Sequence, residues 1–343
     1  MKTLWKRVGT IVLSAALVFN MCAVGALAVD DDNEGIDSLS ESTDWSTAPD
    51  TSWFDANDKQ ETYTLTTAAQ RAGLFSLMKA SRGENFANIT IELGNDIVLN
   101  ATTDDDWSDS ATKLDSSGRK TFAGIFDGGG YSIIGLYSET GLFPKFNGTI
   151  KNLTIDTAVI SCTESGIYVG AIVGDTSTNA KIENCTVKDS TITANYNTLG
   201  GVVGSAGNTP VKNCTVTNCT ISSGGEVGGI CGTGGAIESC FVSADCSISG
   251  GTWVGGIVGS MGKSVTDCTN AAPVSGTGSI GGIVGVHSGS GSVISGCTNT
   301  GTVTGTNSVG GIIGGTTAQT ALWEAMTLLI TQPRKLLPLQ TTF

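Results

Sequence analysis

This chain has little of what would hold phosphate. Its five arginines are Arg7, Arg71, Arg82, Arg119 and Arg334, so the stretch from 122 to 316 has none, and the whole chain carries a formal charge of −13. Nucleic acid is therefore not an expected partner. Histidine is nearly absent as well. Zinc proteolysis needs two histidines at helical spacing with a glutamate, and His287 is the only one. It sits among glycines and serines, so it reads as an exposed loop residue with no context for a Ser-His-Asp arrangement. Past residue 28 no apolar run approaches the roughly 20 residues that a membrane helix needs, so no membrane span is expected after signal cleavage. No ligand pair matches Cys214-x4-Cys219, and neither a metal nor a cofactor is expected. Proline is scarce, with six residues, whereas glycine reaches 48 without a three-residue period. That excludes collagen and points to tight turns between short strands.

What the chain has is a repeat. VGAIVG at Val169 returns as LGGVVG (Leu199), VGGICG (Val227), VGGIVG (Val254), IGGIVG (Ile280) and VGGIIG (Val309). A period of 26 to 30 residues between first glycines means stacked units, each too short to bury its own apolar face. Between the sextets a tetrad recurs: Ile150–Leu153, Ile182–Cys185, Val211–Cys214, Ile237–Cys240, Val265–Cys268 and Ile294–Cys297. Its first residue is apolar and points inward. Its third is Asn, Asn, Asn, Ser, Asp or Gly, types that tolerate left-handed backbone, so the chain bends there. Its second runs Lys151, Glu183, Lys212, Glu238, Thr266, Ser295, an outward column of alternating sign that adjacent strands favour. With a third strand marked by Ile160, Ile192, Ile221, Ile248, Val274 and Val303, three strands per repeat predict an all-β protein. The expected fold is a right-handed three-sided parallel β-helix of about eight coils.

The fourth tetrad position is Cys five times and Leu153 once. A site that accepts Leu is apolar and interior, where free Cys acts as a small hydrophobe. Removing Cys22 with the leader leaves nine of the ten cysteines, an odd number, so a buried stack of reduced thiols is expected. Cys219 and Cys246 are the pair best placed to be a disulfide exception. Strict alternation would expose Ile172, Val202, Ile230, Ile257, Ile283 and Ile312; the expectation is that the Gly-Gly pair bends both columns inward, the alternative being an apolar face that binds another molecule.

Five segments are expected. Residues 1–28, with Lys2, Lys6 and Arg7 before an apolar run and Ala26-Leu27-Ala28 after it, form a signal peptide. Residues 29–62 are acidic and read as a disordered linker. Residues 63–85 hold a short capping helix opened by Thr67 and Gln70 at capping-box spacing. Residues 86–315 are the β-helix. Residues 316–343 break the pattern, and a frameshift near Ala318–Ala321 accounts for that, with a short authentic tail as the alternative.

The sextets with their intervening Asn-Cys resemble the GLUG-repeat family of bacterial surface proteins. The helix and FDGGGYSI at Phe126–Ile133 resemble the segment that precedes such repeats in exported bacterial proteins. The resemblance spans about residues 63–315. It implies a secreted or cell-surface β-helix, sometimes joined to larger adhesins or IgA-peptidase-like proteins, and it carries over no catalytic residue.

The expected function is therefore non-catalytic binding of a glycan, host or cell-wall surface. The residue before each sextet varies as Tyr168, Thr198, Glu226, Trp253, Ser279, Ser308, which suggests exposure, and Tyr168 and Trp253 are the candidates to stack on sugar rings. Two other readings stay open. One is a polysaccharide-cleaving lyase or hydrolase, although the repeat carboxylates form no cluster. The other is a plain structural spacer from a larger surface protein.

Overall fold

The computed structural model describes residues 46–79, 83–102, 106–114, 121–289 and 291–316. The expected signal peptide, the first half of the acidic linker and all of the discordant tail but Thr316 lie outside these residues.

The described chain is a stack of parallel β-coils. Its ladders are in register, with one residue of each coil over its equivalent in the next: Ile150 beside Ile182, Ile182 beside Val211, Ile237 beside Val265. Every pairing between named strands is parallel, and the strands fall into four sheets of 14, 8, 7 and 6 strands. About eight coils stack, with one helix, as the parallel β-helix expectation requires.

One detail departs from the sequence reading. The sextet forms two strands, not one. Its first half joins a ladder of its own, and its second half joins the large sheet shared with the tetrads. The glycines cause the break: a Cβ on Gly228 would overlap the carbonyl oxygen of Cys231, three residues on, and the same holds for Gly255 and Val258. Only a residue without a side chain lets the chain fold back so tightly. As a result Ile172, Val202, Ile230, Ile257 and Ile283 are fully buried, and no sticky column remains on those coils.

A second bend falls where the tetrads place it. Asn152, Asn184, Asn213, Ser239, Asp267 and Gly296 all take left-handed backbone, with φ from 52° to 63°. The asparagines also ladder: Asn184 Nδ2 donates to Asn152 Oδ1 (3.2 Å) and Asn213 Nδ2 to Asn184 Oδ1 (3.1 Å). The tetrad charges pair in part, Lys212 with Glu238 at 2.7 Å and Lys151 with Asp127 at 3.0 Å. Exposed pairs of this kind contribute little stability.

All nine described cysteines are free thiols. Eight are buried, and Cys297, in the last described coil, is half-buried. Each tetrad thiol donates to the carbonyl two residues earlier, as Cys185 does to Glu183 (3.3 Å) and Cys268 to Thr266 (3.2 Å). Burial pushes the Cys231 thiol up to about 12. In the Cys219–Cys246 pair, hydrogen bonds from the Cys219 thiol and backbone lower Cys246 to about 7, while Cys219 is raised.

The first coil is closed by α1 (Ala68–Lys79), opened as expected by Thr67, whose Oγ1 accepts from Gln70 N at 3.1 Å. Gln70 reaches back one residue further than a capping box would, its Oε1 accepting from Thr66 N at 2.8 Å. The linker reading is corrected for its last part. Trp53 and Phe54 pack against the core, their rings 5.4 Å from that of Tyr63. Asp50 N donates to Ala69 O, and the Asp50 carbonyl passes where a Cβ on Gly73 would be. The aromatic area buried by Trp53 and Phe54 offsets the ordering entropy that the surrounding polar residues could not.

Candidate binding face

The outward face of the fourth ladder is built by alternation. In Tyr168–Gly170, Thr198–Gly200, Trp253–Gly255, Ser279–Gly281 and Ser308–Gly310 the middle residue faces the core, fully buried in all but the last. The residue before it must then face solvent. Register places Tyr168 beside Thr198, Trp253 beside Ser279 and Ser279 beside Ser308. Val227 pairs with Leu199 on one side and Val254 on the other, so Glu226 stands between Thr198 and Trp253. One stripe along the stack therefore reads Tyr168, Thr198, Glu226, Trp253, Ser279, Ser308.

The two aromatic candidates share this stripe but not a pocket. Three coil steps separate Tyr168 from Trp253, about 14 Å at the ~4.8 Å strand spacing. Tyr168 is 41 % exposed and Trp253 half-buried.

Glu226 between them is half-buried, and desolvation alone raises its pKa above the ordinary carboxylate value. Among the described residues none hydrogen-bonds or ion-pairs with its carboxylate. Sequence reasoning counted Glu226 as a variable surface residue and as one of the repeat carboxylates that form no cluster, because nothing in its spacing reveals that it lacks a counter-charge. Tyr196 escaped notice altogether, although it is the most exposed of the large hydrophobic side chains at 75 %. The signal for it was positional: where coil after coil has Gly166, Gly224, Gly251, Thr277 or Thr306 two residues before the stripe, one coil has an aromatic ring.

His287 is the other residue with chemical potential. Its Nε2 lies 2.8 Å from Ser292 Oγ, and that hydroxyl donates to Gly289 O at 2.9 Å. Among the described residues no group of three or more His, Cys, Asp or Glu side chains converges to hold a metal ion, and no helix is long and apolar enough to cross a membrane.

Comparison with known proteins agrees with this architecture. Residues 195–222, which run from the Tyr196 turn to the next coil, match the family profile described as the GLUG motif. Among solved structures, a Bacteroides ovatus protein described as a "putative immunoglobulin A1 protease" superposes with a TM-score of 0.51 at 23% identity, over 72% of this chain and 83% of that one. At that identity the likeness shows the fold. No curated protein sequence matches the chain. The chain carries the GLUG motif within a β-solenoid.

Proposed function

We propose that this GLUG-motif β-solenoid is an exported, secreted or surface-displayed binding module that holds a glycan along its fourth ladder without cleaving it. The observation that carries the reading is the stripe itself. Outward side chains at a fixed position on a rigid, hydrogen-bonded ladder differ from coil to coil, and two of them are aromatic. A rigid platform with aromatic anchors loses little conformational entropy on binding. The stripe holds one carboxylate, Glu226, rather than the facing pair that glycoside hydrolysis uses, which supports a non-catalytic role. The peptidase description of the solved relative bears on its own chain; what supports likeness here is the coil architecture.

The test is a glycan-binding screen of the wild type and Trp253→Ala, run beside an assay for reducing-sugar release. Binding weakened by the substitution, with no sugar released, is expected. Sugar release from any polysaccharide would make the protein an enzyme. A chain that binds nothing and cleaves nothing would be a spacer.

A further inference from the structure

We propose that Tyr196, Glu226 and Trp253 form one subsite for an uncharged glycan, with the Tyr196 ring as its stacking platform. The assignment rests on the glycan reading above and adds to it the place and the chemical class of the ligand.

The platform is exposed in its side chain and fixed in its backbone. On one side of Tyr196, Asn195 N donates to Cys162 O (3.1 Å) and Asn195 Nδ2 to Thr163 O (3.0 Å), while Gly224 N donates to Asn195 O (2.6 Å). On the other side Asn197, only 3 % exposed, donates through Nδ2 to Glu164 O (2.6 Å) and accepts at Oδ1 from Ile167 N (3.0 Å). Its backbone is held from the following coil: Asn197 N donates to Ser223 Oγ (3.1 Å), which donates in turn to Asn197 O (2.8 Å). Both neighbours of the tyrosine are therefore tied to the coil before and the coil after. The ring then lies flat on the next coil. Two opposite ring carbons, Cδ2 and Cε1, are each 3.3 Å from the Cβ position that Gly224 leaves empty. One face of the ring is backed by backbone and the other is open to solvent. A sugar ring stacks on such a face through its C–H groups, with no ordering cost left for the protein.

Glu226 supplies the polar partner. It follows Gly224 by two residues, about 7 Å of extended chain at most, and it stands one coil, about 4.8 Å, from Trp253. A half-buried carboxylate without a cation costs stability. Sugar hydroxyls are donors that would satisfy it. The surrounding strands and turns, 164–170, 195–200, 223–228 and 251–255, contain no Lys or Arg. In a chain of formal charge −13 this repels uronate, sulfate and sialate groups and leaves a neutral glycan as the ligand that fits.

Native electrophoresis through gels containing mannan, β-glucan, galactan or polygalacturonate tests this with the full exported chain. Expected is retardation by at least one neutral polymer and none by polygalacturonate. Tyr196→Ala and Glu226→Gln should each weaken binding about tenfold. Tyr196→Phe should keep it, as should Tyr131→Ala, which removes an exposed ring elsewhere. The three side chains changed, Tyr196, Glu226 and Tyr131, are exposed or half-buried, and circular dichroism checks that the four variants fold. If a neutral polymer retards the wild type while Tyr196→Ala and Glu226→Gln run alike with it, the subsite is wrong and the glycan reading stands. Retardation chiefly by polygalacturonate overturns the uncharged class. No retardation in any gel overturns the glycan reading and the subsite together.

Discussion

The first coils and the last described coil of the stack bury their interiors by different means. Across the first coils, Phe86, Phe122, Phe126, Phe143 and Phe146 are almost wholly buried, with Phe122 within 5.4 to 6.4 Å of the other rings, and α1 with Trp53 and Phe54 lies against them. At the last described coil, Ile294, Val303, Ile312 and Ile313 are half-buried, and Val309 is 44 % exposed. The residues are the same types that are buried to 0–1 % one or two coils earlier, as at Val265, Val274, Ile280 and Ile283. Burial in this fold is thus a property of having a neighbour. A coil supplies half of its own core, and the helix and aromatics replace the neighbour that the first coil lacks.

Four substitutions sharpen or break that contrast. The largest effect is expected from Phe122→Ala, which empties the centre of the aromatic cluster and should cost about 3–5 kcal/mol in urea unfolding; a cost below about 1 kcal/mol would mean that the cap is not packed as described. Next comes a matched pair at one motif position. A Cβ on Gly229 would run into Gly256 O of the following coil, whereas one on Gly311 meets none of the described residues. Gly229→Ala should therefore cost about 3 kcal/mol and Gly311→Ala no more than about 0.5 kcal/mol. Equal costs would show that the glycine serves the turn and not the neighbour. Smaller still is Cys268→Ala, about 1 kcal/mol for one buried group of this size. In the native protein a thiol reagent should reach Cys297 first, and the others only on unfolding.

The smallest effect separates the binding stripe from both ends. The folded pKa of Glu226 is raised above its unfolded value. The stability this group contributes is fully present below the unfolded pKa and is lost as pH rises through the folded one. Glu226→Gln should then raise Tm at neutral pH and leave it unchanged near about pH 3. A Tm lowered at neutral pH would mean that the carboxylate has a stabilising partner.

Sequence alone disclosed the regular part because periodicity is what stacking writes into a chain. The left-handed bends at Asn152, Asn184 and Asn213 could be placed from residue type, and the interior thiols from the single Leu153. The inward bend at the Gly-Gly pair was the favoured reading, but the sextet's division into two strands could not be placed. A run such as Val-Gly-Gly-Ile-Val-Gly is apolar whether it is straight or bent, and only the carbonyl approach at Gly228 tells the two apart. The capping helix was legible from Thr67 and Gln70, but the aromatic part of the cap was hidden for the opposite reason: Trp53, Phe54, Phe86 and Phe122 follow no period, and the first two are set among Asp, Ser and Thr that read as solvated. Tyr168 and Trp253 were legible as outward stripe residues because they stand at one repeat position. The exposed ring of Tyr196 was not, because its setting lies in Gly224, 28 residues later in the chain.

A crystal structure with an oligosaccharide of whichever neutral polymer retards the protein tests the central claim most directly. The account predicts a sugar ring stacked on the open face of Tyr196, with hydroxyls on the Glu226 carboxylate and the next residue toward Trp253. Sugar bound on another ladder, or at either end of the stack, with the fourth ladder bare, would contradict it.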